Sequence, residues 1–348
     1  MMSEQAQGMS HWTHCNLHDA ERGAMKKHVS RGEGRAYRLA LNALEWLTSP
    51  DIPEPGRQGG WQQNLYDALK IFGRVVTKHA GPDRTSELPA ALNREFDIDS
   101  IIDFSGAWEY WENLDNSLSG ANAVETHGAV EPLPLDQQLF RGIHPQAHGY
   151  QDGIERLAAK QAQSVAAWLR LNLDAAPVKS VLDLGAGPGV YACALLNNGV
   201  AREATCVDFK PVIERASAAC GERVKWIADD LFELSLPADA RYDLIYVGNV
   251  FHHYSLADNL RYLERVAGHC ADGAYVLVQE YLLADDLESS RLQAAILGLH
   301  FALTSSRGRC FTRGEISSVV EAALPEARLR AVCHLGLSDL LLYRCGGA

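Results

Sequence analysis

One stretch of the 348-residue chain limits what it can fold into more than any other. Residues 181–191 read Val181-Leu182-Asp183-Leu184-Gly185-Ala186-Gly187-Pro188-Gly189-Val190-Tyr191. Apolar residues around a single acid predict a buried strand. Three glycines on alternate positions predict a turn. The apolar, Ala-rich run at 191–196 predicts a helix. Glycine suits such a turn because it tolerates positive φ and lets a ligand lie against the backbone. The helix N-terminus beyond it offers free N–H groups.

After Lys179 the chain alternates strand and helix patterns, the signature of a doubly wound parallel sheet. Strands are predicted at 180–184, 204–207, 224–228, 244–247 and 274–278. Polar residues stand at their carboxyl ends: Asp208 after the second, Asp229 and Asp230 after the third, Asn249 after the fourth, Glu280 after the fifth. Open α/β sheets bind ligands along that edge. Helices are expected at 290–303 and 313–323, and residues 328–332 with 339–343 predict a closing antiparallel hairpin. The fold class is therefore α/β, a Rossmann-like doubly wound sheet with a C-terminal hairpin, preceded by a mainly helical N-terminal domain.

That N-terminal half shows apolar spacing near 3.6 residues at 34–47 and again at 61–78, where Leu65, Leu69, Phe72 and Val76 share a stripe. Prolines end the first helix and Gly81-Pro82 the second. Shorter helices are predicted at 87–93 and 98–111. Residues 115–150 carry Gly and Pro at intervals and are expected to wander over the surface. A long amphipathic helix at 153–173 leads into the first strand. The domains are set at 1–160, mainly helical, and 161–348, holding the doubly wound sheet.

Composition narrows the function classes. Hydrophobic residues make up 47% and charged residues 22%, the range of a globular protein with a sizeable core. The net charge of −12, with no Lys/Arg block, argues against nucleic acid as a partner. No apolar run approaches the length of a membrane span, and the first residues lack a signal core. The eight cysteines are scattered without a C-x-x-C pair. They are read as reduced, small hydrophobes in a cytoplasmic protein. His11, His14, Cys15 and His18 fall at helical spacing, as a metal site would need, yet no accompanying carboxylates favour one.

Two cofactor classes use a glycine turn of this kind. Dinucleotide enzymes carry G-x-G-x-x-G around a pyrophosphate. Here the pattern is G-x-G-x-G with Pro188 inside it, and Asp183 stands two residues before the first glycine. A carboxylate there repels a pyrophosphate and suits a cofactor with a cationic ammonium. That points to S-adenosylmethionine (SAM).

With four ordered motifs over residues 175–348, the chain resembles class I SAM-dependent methyltransferases. Within them it is similar to the two-domain small-molecule O-methyltransferases, of the plant phenolic and acetylserotonin type and their bacterial secondary-metabolite relatives. Asn249-Val250-Phe251-His252-His253-Tyr254, Gln279-Glu280-Tyr281-Leu282 and Ser306-Arg307-Gly308-Arg309-Cys310-Phe311-Thr312 carry the narrower likeness. The resemblance implies that Gly185, Gly187 and Gly189 line the methionyl and ribose portion of SAM. It places Asp183 toward the amino group, Asp208 on the ribose hydroxyls, and Asp230 and Leu231 beside adenine. Asp229 and Asn249, at the same strand tips, join the candidate cofactor contacts. It also implies a homodimer and a small-molecule acceptor.

Methyl transfer from a sulfonium is an in-line displacement that the protein mainly has to align. A hydroxyl acceptor must also lose its proton, and histidine suits that task. The resemblance gives His252 the role of general base and Glu280 that of its orienting acid. His253 replaces an aspartate of the family, and Cys310 stands where a second acid is expected. The helix at 290–303, with His300, is expected to roof the acceptor pocket. The alternatives are C- or N-methylation, metal-assisted through His252, His253 and Cys310, or a SAM-binding protein without catalysis.

Overall fold

The computed structural model describes residues 61–80, 105, 107 and 133–346, apart from residues 175, 176, 217, 306 and 337. Among the described residues the first helix, α1 (Trp61–Ala80), buries Leu65, Leu69, Phe72 and Val76, the stripe its periodicity predicted. Two helices follow, α2 (Leu135–Phe140) and α3 (Ala147–Asn172). The remainder alternates: β1 (Val178–Leu184), α4 (Val190–Asn197), β2 (Ala201–Asp208), the single turn α5 (Lys210–Ile213), β3 (Val224–Ala228), β4 (Tyr242–Gly248), α6 (Leu256–Ala267) and β5 (Cys270–Glu280). Then come α7 (Leu292–Thr304), α8 (Arg313–Ala323) and the hairpin β6 (Ala327–Leu335) with β7 (Ser338–Cys345).

The sheet runs β3-β2-β1-β4-β5-β7-β6. Strands β1 to β5 pair in parallel, while β7 pairs antiparallel with both β5 and β6. Side chains alternate between the two faces of a strand, and the core divides accordingly. Val181, Leu244, Tyr246, Leu277 and Leu342 face one cluster, with α3 and α4. Leu182, Leu184, Ile245, Val247, Val276 and Leu341 face the other, with α6 and α8. Strand order reverses between β1 and β4, so the crevice at their carboxyl ends is the topological switch point.

The five predicted parallel strands and the hairpin are present, several of them longer at their ends than the apolar runs implied. Residues 115–150 hold more structure than expected: α2 and the first turn of α3 lie inside that stretch. Pro134 precedes a helix whose Leu135 and Leu139 are buried, so proline here starts a helix instead of interrupting one. The division proposed at residue 160 falls inside α3, which runs unbroken and puts Ala158, Ala162, Val165 and Leu169 into the sheet's core. The helices predicted at 34–47 and 87–93, and the His11–His18 cluster, lie outside the described residues. So does the 98–111 helix, except for the buried Ser105 and Ala107.

One expectation is corrected. Cys193, on α4, is disulfide-bonded, although all cysteines were read as reduced. Cys206, Cys270, Cys310, Cys333 and Cys345 are free. Pairing depends on which Cβ vectors converge in space, and spacing along the chain does not carry that information. Among the described residues no helix is long and apolar enough to cross a membrane.

Candidate active site

The glycine turn after β1 is built by backbone geometry. Gly185, Gly187 and Gly189 all have positive φ, +69°, +55° and +80°. The Gly185 and Ala186 N–H groups donate to the Val207 carbonyl on neighbouring β2. Asp208 closes the structure: its Oδ2 accepts the Gly187 N–H at 2.7 Å and its Oδ1 the Phe209 N–H at 2.7 Å. The acid at the tip of β2 therefore holds the turn between β1 and α4 in shape. Burial still raises its carboxyl to about 6, against the pull of those two N–H groups.

Asp183, near the end of β1, is 1% exposed, and its Oδ2 has no hydrogen-bond partner. Burial pushes its carboxyl up to about 8, and the charge of Asp208 adds to the effect. Asn249 follows β4 with φ of 58°, a left-handed conformation that asparagine tolerates better than most residues. Its Oδ1 is also buried and without a partner. Strained backbone of this kind clusters at functional sites.

A cavity opens above these strand tips. Gly185, Gly187, Asp208, Asp229, Leu231, Asn249, His252 and His253 line it. Asp183, Gly189, Asp230 and Glu280 do not reach its surface. Asp183 and Glu280 stand buried behind it. Gly189 starts α4 against the Trp226 ring. Asp230 is occupied elsewhere, accepting the Phe232 N–H at 3.1 Å and pairing with Arg141 at 2.9 Å. Asp229 instead takes the lining position and accepts the Asp230 N–H.

After β4 a short 3₁₀ turn, Phe251–His253, carries the two histidines. His252 is 3% exposed, and its Nδ1 lies 2.7 Å from Glu280 Oε2. Its Nε2 lies 3.1 Å from His253 Nε2, and His253 Nδ1 lies 3.2 Å from Asp136 Oδ2. Phe301, on α7, stacks on the His252 ring at 3.7 Å. Burial lowers His252 to about 3, so the ring is neutral at physiological pH. Burial raises Glu280 to about 8, although the N–H groups of Tyr281, Phe251, His252 and Val250 pull it down. His300 and Phe301 of α7 line the cavity as the roof helix was expected to.

Sequence reasoning missed the contributions of α2 and α3. Phe140, Tyr150, Gln151 and Ile154 line the cavity, and Asp136 holds His253. The signal was present in Pro134-Leu135-Asp136-Gln137-Gln138-Leu139, a proline start with an acid in the first turn and leucines one turn apart. It also missed the role of Gln279. Its Nε2 lies 2.9 Å from Gln161 Oε1 and from the hydroxyls of Tyr191 and Ser338, with two N–H groups to share among them, and its Oε1 accepts from the Tyr246 hydroxyl. Among the described residues no group of three or more His, Cys, Asp or Glu side chains is placed to hold a metal ion.

Residues 181–273 match the family described as a methyltransferase domain. That segment holds the glycine turn and the parallel strands β1 to β4 of the doubly wound sheet. A curated relative, the tetracenomycin polyketide synthesis 8-O-methyltransferase TcmO of Streptomyces glaucescens, is 29% identical over 230 residues. That alignment covers 64% of this chain and 63% of the relative. Among solved structures, human N-acetylserotonin methyltransferase in complex with SAM superposes with a TM-score of 0.59 at 18% identity, covering 91% of this chain and all of that one. Mitomycin 7-O-methyltransferase MmcR superposes with a TM-score of 0.57 at 20% identity, covering 94% and 96% of the two chains. The fold is that of the two-domain O-methyltransferases.

Proposed function

We propose that this protein methylates a hydroxyl of a small aromatic acceptor, with SAM as donor. The observation that carries the reading is His252, a neutral imidazole on the cavity wall, oriented by the buried carboxyl of Glu280 and set beside the glycine turn. The relatives named as O-methyltransferases support oxygen as the methylated atom.

The residues present fit SAM. Two buried oxygens without partners, on Asp183 and Asn249, stand beside or behind the glycine turn. A carboxyl raised to about 8 beside a second acid calls for a cation nearby, and SAM has an ammonium and a sulfonium. A pyrophosphate would add negative charge to that pair. Gly185, Gly187, Asp208, Asp229, Leu231 and Asn249 would hold SAM, with Asp183 acting from behind the turn. When bound, SAM supplies a methyl group already activated by its positive sulfur.

The chain's own part is alignment and proton removal. Phe140, Phe301 and Tyr281 give the cavity flat apolar walls that suit a planar acceptor. Glu280 sets the orientation of the His252 ring through Nδ1, which leaves Nε2 beside His253 Nε2 on the cavity wall. His252 then takes the hydroxyl proton while the oxygen keeps its electron pair for attack on the methyl carbon. Burial excludes water from the reacting atoms and makes the imidazole a weak base. That combination favours acidic hydroxyls such as phenols over simple alcohols. A homodimer in the cytoplasm completes the proposal, carried by the family resemblance alone, since the disulfide at Cys193 weighs against a reducing compartment.

The test is calorimetric titration with SAM and with S-adenosylhomocysteine, followed by incubation with a panel of hydroxylated aromatic compounds. Saturable heat and a mass gain of one methyl on an acceptor oxygen are expected. No heat from a protein that melts cooperatively would reject the reading.

A further inference from the structure

A four-membered chain of titratable side chains crosses the site: Asp136, His253, His252 and Glu280. Its contacts run at 3.2, 3.1 and 2.7 Å. Both ends are buried carboxyls, and the middle contact joins the two Nε2 atoms. Asp136 comes from α2, outside the Rossmann sheet, and its Oδ1 accepts the Gln137 N–H at 2.7 Å. We propose that Asp136 is a positioning residue for proton transfer: together with Glu280 it brackets His252 and His253 so that their two Nε2 atoms act as one proton acceptor. The proposal rests on the methyl-transfer reading above, but the arrangement exists in the protein without ligand.

Counting protons gives the argument. A neutral imidazole has one N–H. Burial raises Glu280 to about 8 and raises Asp136 too, so both carboxyls are ionised together only toward alkaline pH; with both rings neutral there, each ring gives its Nδ1–H to its own carboxylate. Both Nε2 lone pairs then face each other with no hydrogen between them. A proton arriving from the acceptor hydroxyl relieves that repulsion and forms an N–H···N bond across the pair. The O–H bond breaks, the electron pair stays on oxygen for the new C–O bond, and the proton later leaves to solvent. Burial alone would leave each ring a weak base, lowered to about 3 for His252 and about 4 for His253. Convergent lone pairs between two carboxylates work against that lowering. If the chain holds one proton more, every contact is filled and Nε2 of His252 has no free lone pair. The active form is therefore the one that has lost that proton.

Other titratable groups face the chain among the described residues. His300 of α7 faces both rings, and burial lowers it to about 3. The Tyr281 ring lies 5.6 Å from His252. Cys310, Tyr246 and Tyr262 face Glu280. Tyr150 and Tyr254 face Asp136. Burial pushes these tyrosines and Cys310 up, so all stay neutral through the range in which the histidine pair titrates.

The experiment is a ¹⁵N-histidine NMR titration of the ligand-free protein, wild type beside Asp136→Asn, with His253→Ala as a third sample. The wild type is expected to show His252 and His253 Nε2 moving together with one midpoint. Removing the Asp136 charge withdraws support for the shared proton, so the Asp136→Asn midpoint falls by about one pH unit or more, the size of a carboxylate's effect on a neighbour. His253→Ala abolishes the joint transition. Asp136→Ser, which removes charge and reach together, shifts the midpoint the same way and serves if Asp136→Asn fails to melt cooperatively. Independent titration of the two rings, or an unmoved midpoint in either folded variant, overturns the proposal. S-adenosylhomocysteine calorimetry on the wild type separates the two questions: absence of binding defeats the methyl-transfer reading and leaves the histidine result standing.

Discussion

Asp183 and Asp208 end neighbouring parallel strands, and the charge on Asp208 helps hold the Asp183 carboxyl near 8. An acid raised from 3.8 keeps its proton in the folded chain where the unfolded chain has lost it. Folding therefore binds protons between about pH 4 and 8, and this group's contribution falls as pH rises through that window. Asp183→Asn removes the dependence. Thermal melts of the ligand-free variant are expected to match the wild type near pH 4 and exceed it by about 1–3 kcal/mol at pH 8. SAM affinity should run the other way. In the wild type it rises with pH as Asp183 ionises, by at most about tenfold per unit, and in Asp183→Asn it stays low and flat. Calorimetry from pH 6 to 9 measures both slopes.

The three glycines of the turn are not equivalent. A Cβ on Gly189 would lie 2.6 Å from the Trp226 ring, and one on Gly185 would lie 2.6 Å from the Val250 side chain. On Gly187 the nearest atom is 3.9 Å away, so only positive φ opposes a side chain. Gly187→Ala should cost about 1 kcal/mol, the scale of left-handed strain. Gly189→Ala and Gly185→Ala should cost about 2 kcal/mol or more, because strain and overpacking combine. Denaturant midpoints rank them. Equal losses at the three positions would refute the steric argument.

What the sequence made legible follows from which forces act locally. Strand alternation and the glycine turn are short-range patterns, and the structure has them where they were predicted. The acids at strand tips also follow from the pattern, and Asp208, Asp229 and Asn249 meet in one cavity. Asp136 was not legible, because its importance lies in contact with His253, 117 residues away. The same holds for Cys193, whose bonding depends on a tertiary meeting of side chains. Asp230 shows the opposite limit: its position at the tip of β3 marks it for adenine, but Arg141 pairs with it.

His252→Ala should leave the fold and donor binding near wild type, since the glycine turn and Asp208 are untouched. Methyl transfer should fall about 10²- to 10⁴-fold, the range of a positioned general base. Glu280→Gln keeps shape but loses the carboxylate that holds Nδ1, so kcat should fall while donor affinity is retained. Single-turnover rates at saturating SAM separate the two effects. Wild-type rates in His252→Ala would show that the ring serves only to pack.

Gly308 explains why the Ser306–Thr312 stretch matters to a histidine more than fifty residues earlier. A Cβ at Gly308 would run into the backbone carbonyl of His252 and the Ser305 hydroxyl. The Gly308 N–H donates to Ser305 Oγ at 2.7 Å, and its carbonyl accepts from Asn64 of α1 at 2.8 Å. The loop thus presses directly on the turn that carries the base and ties α1 to it. Gly308→Ala must push the Phe251–His253 turn away or shift the loop, and either movement disturbs the 2.7 Å contact between His252 and Glu280. A misplacement of about 1 Å can cost 10²-fold in rate, so kcat should fall by about that factor. Donor affinity should fall less, because the hydrogen bonds that shape the glycine turn come from Val207 and Asp208 on β2. The stability loss should be about 1–3 kcal/mol, typical of overpacking. Asn64→Ala, which removes only the tie from α1, should cost less than Gly308→Ala in both rate and stability. Paired kinetic and denaturation measurements on the two variants decide it, and the reverse order would mean that α1 rather than the loop positions the base.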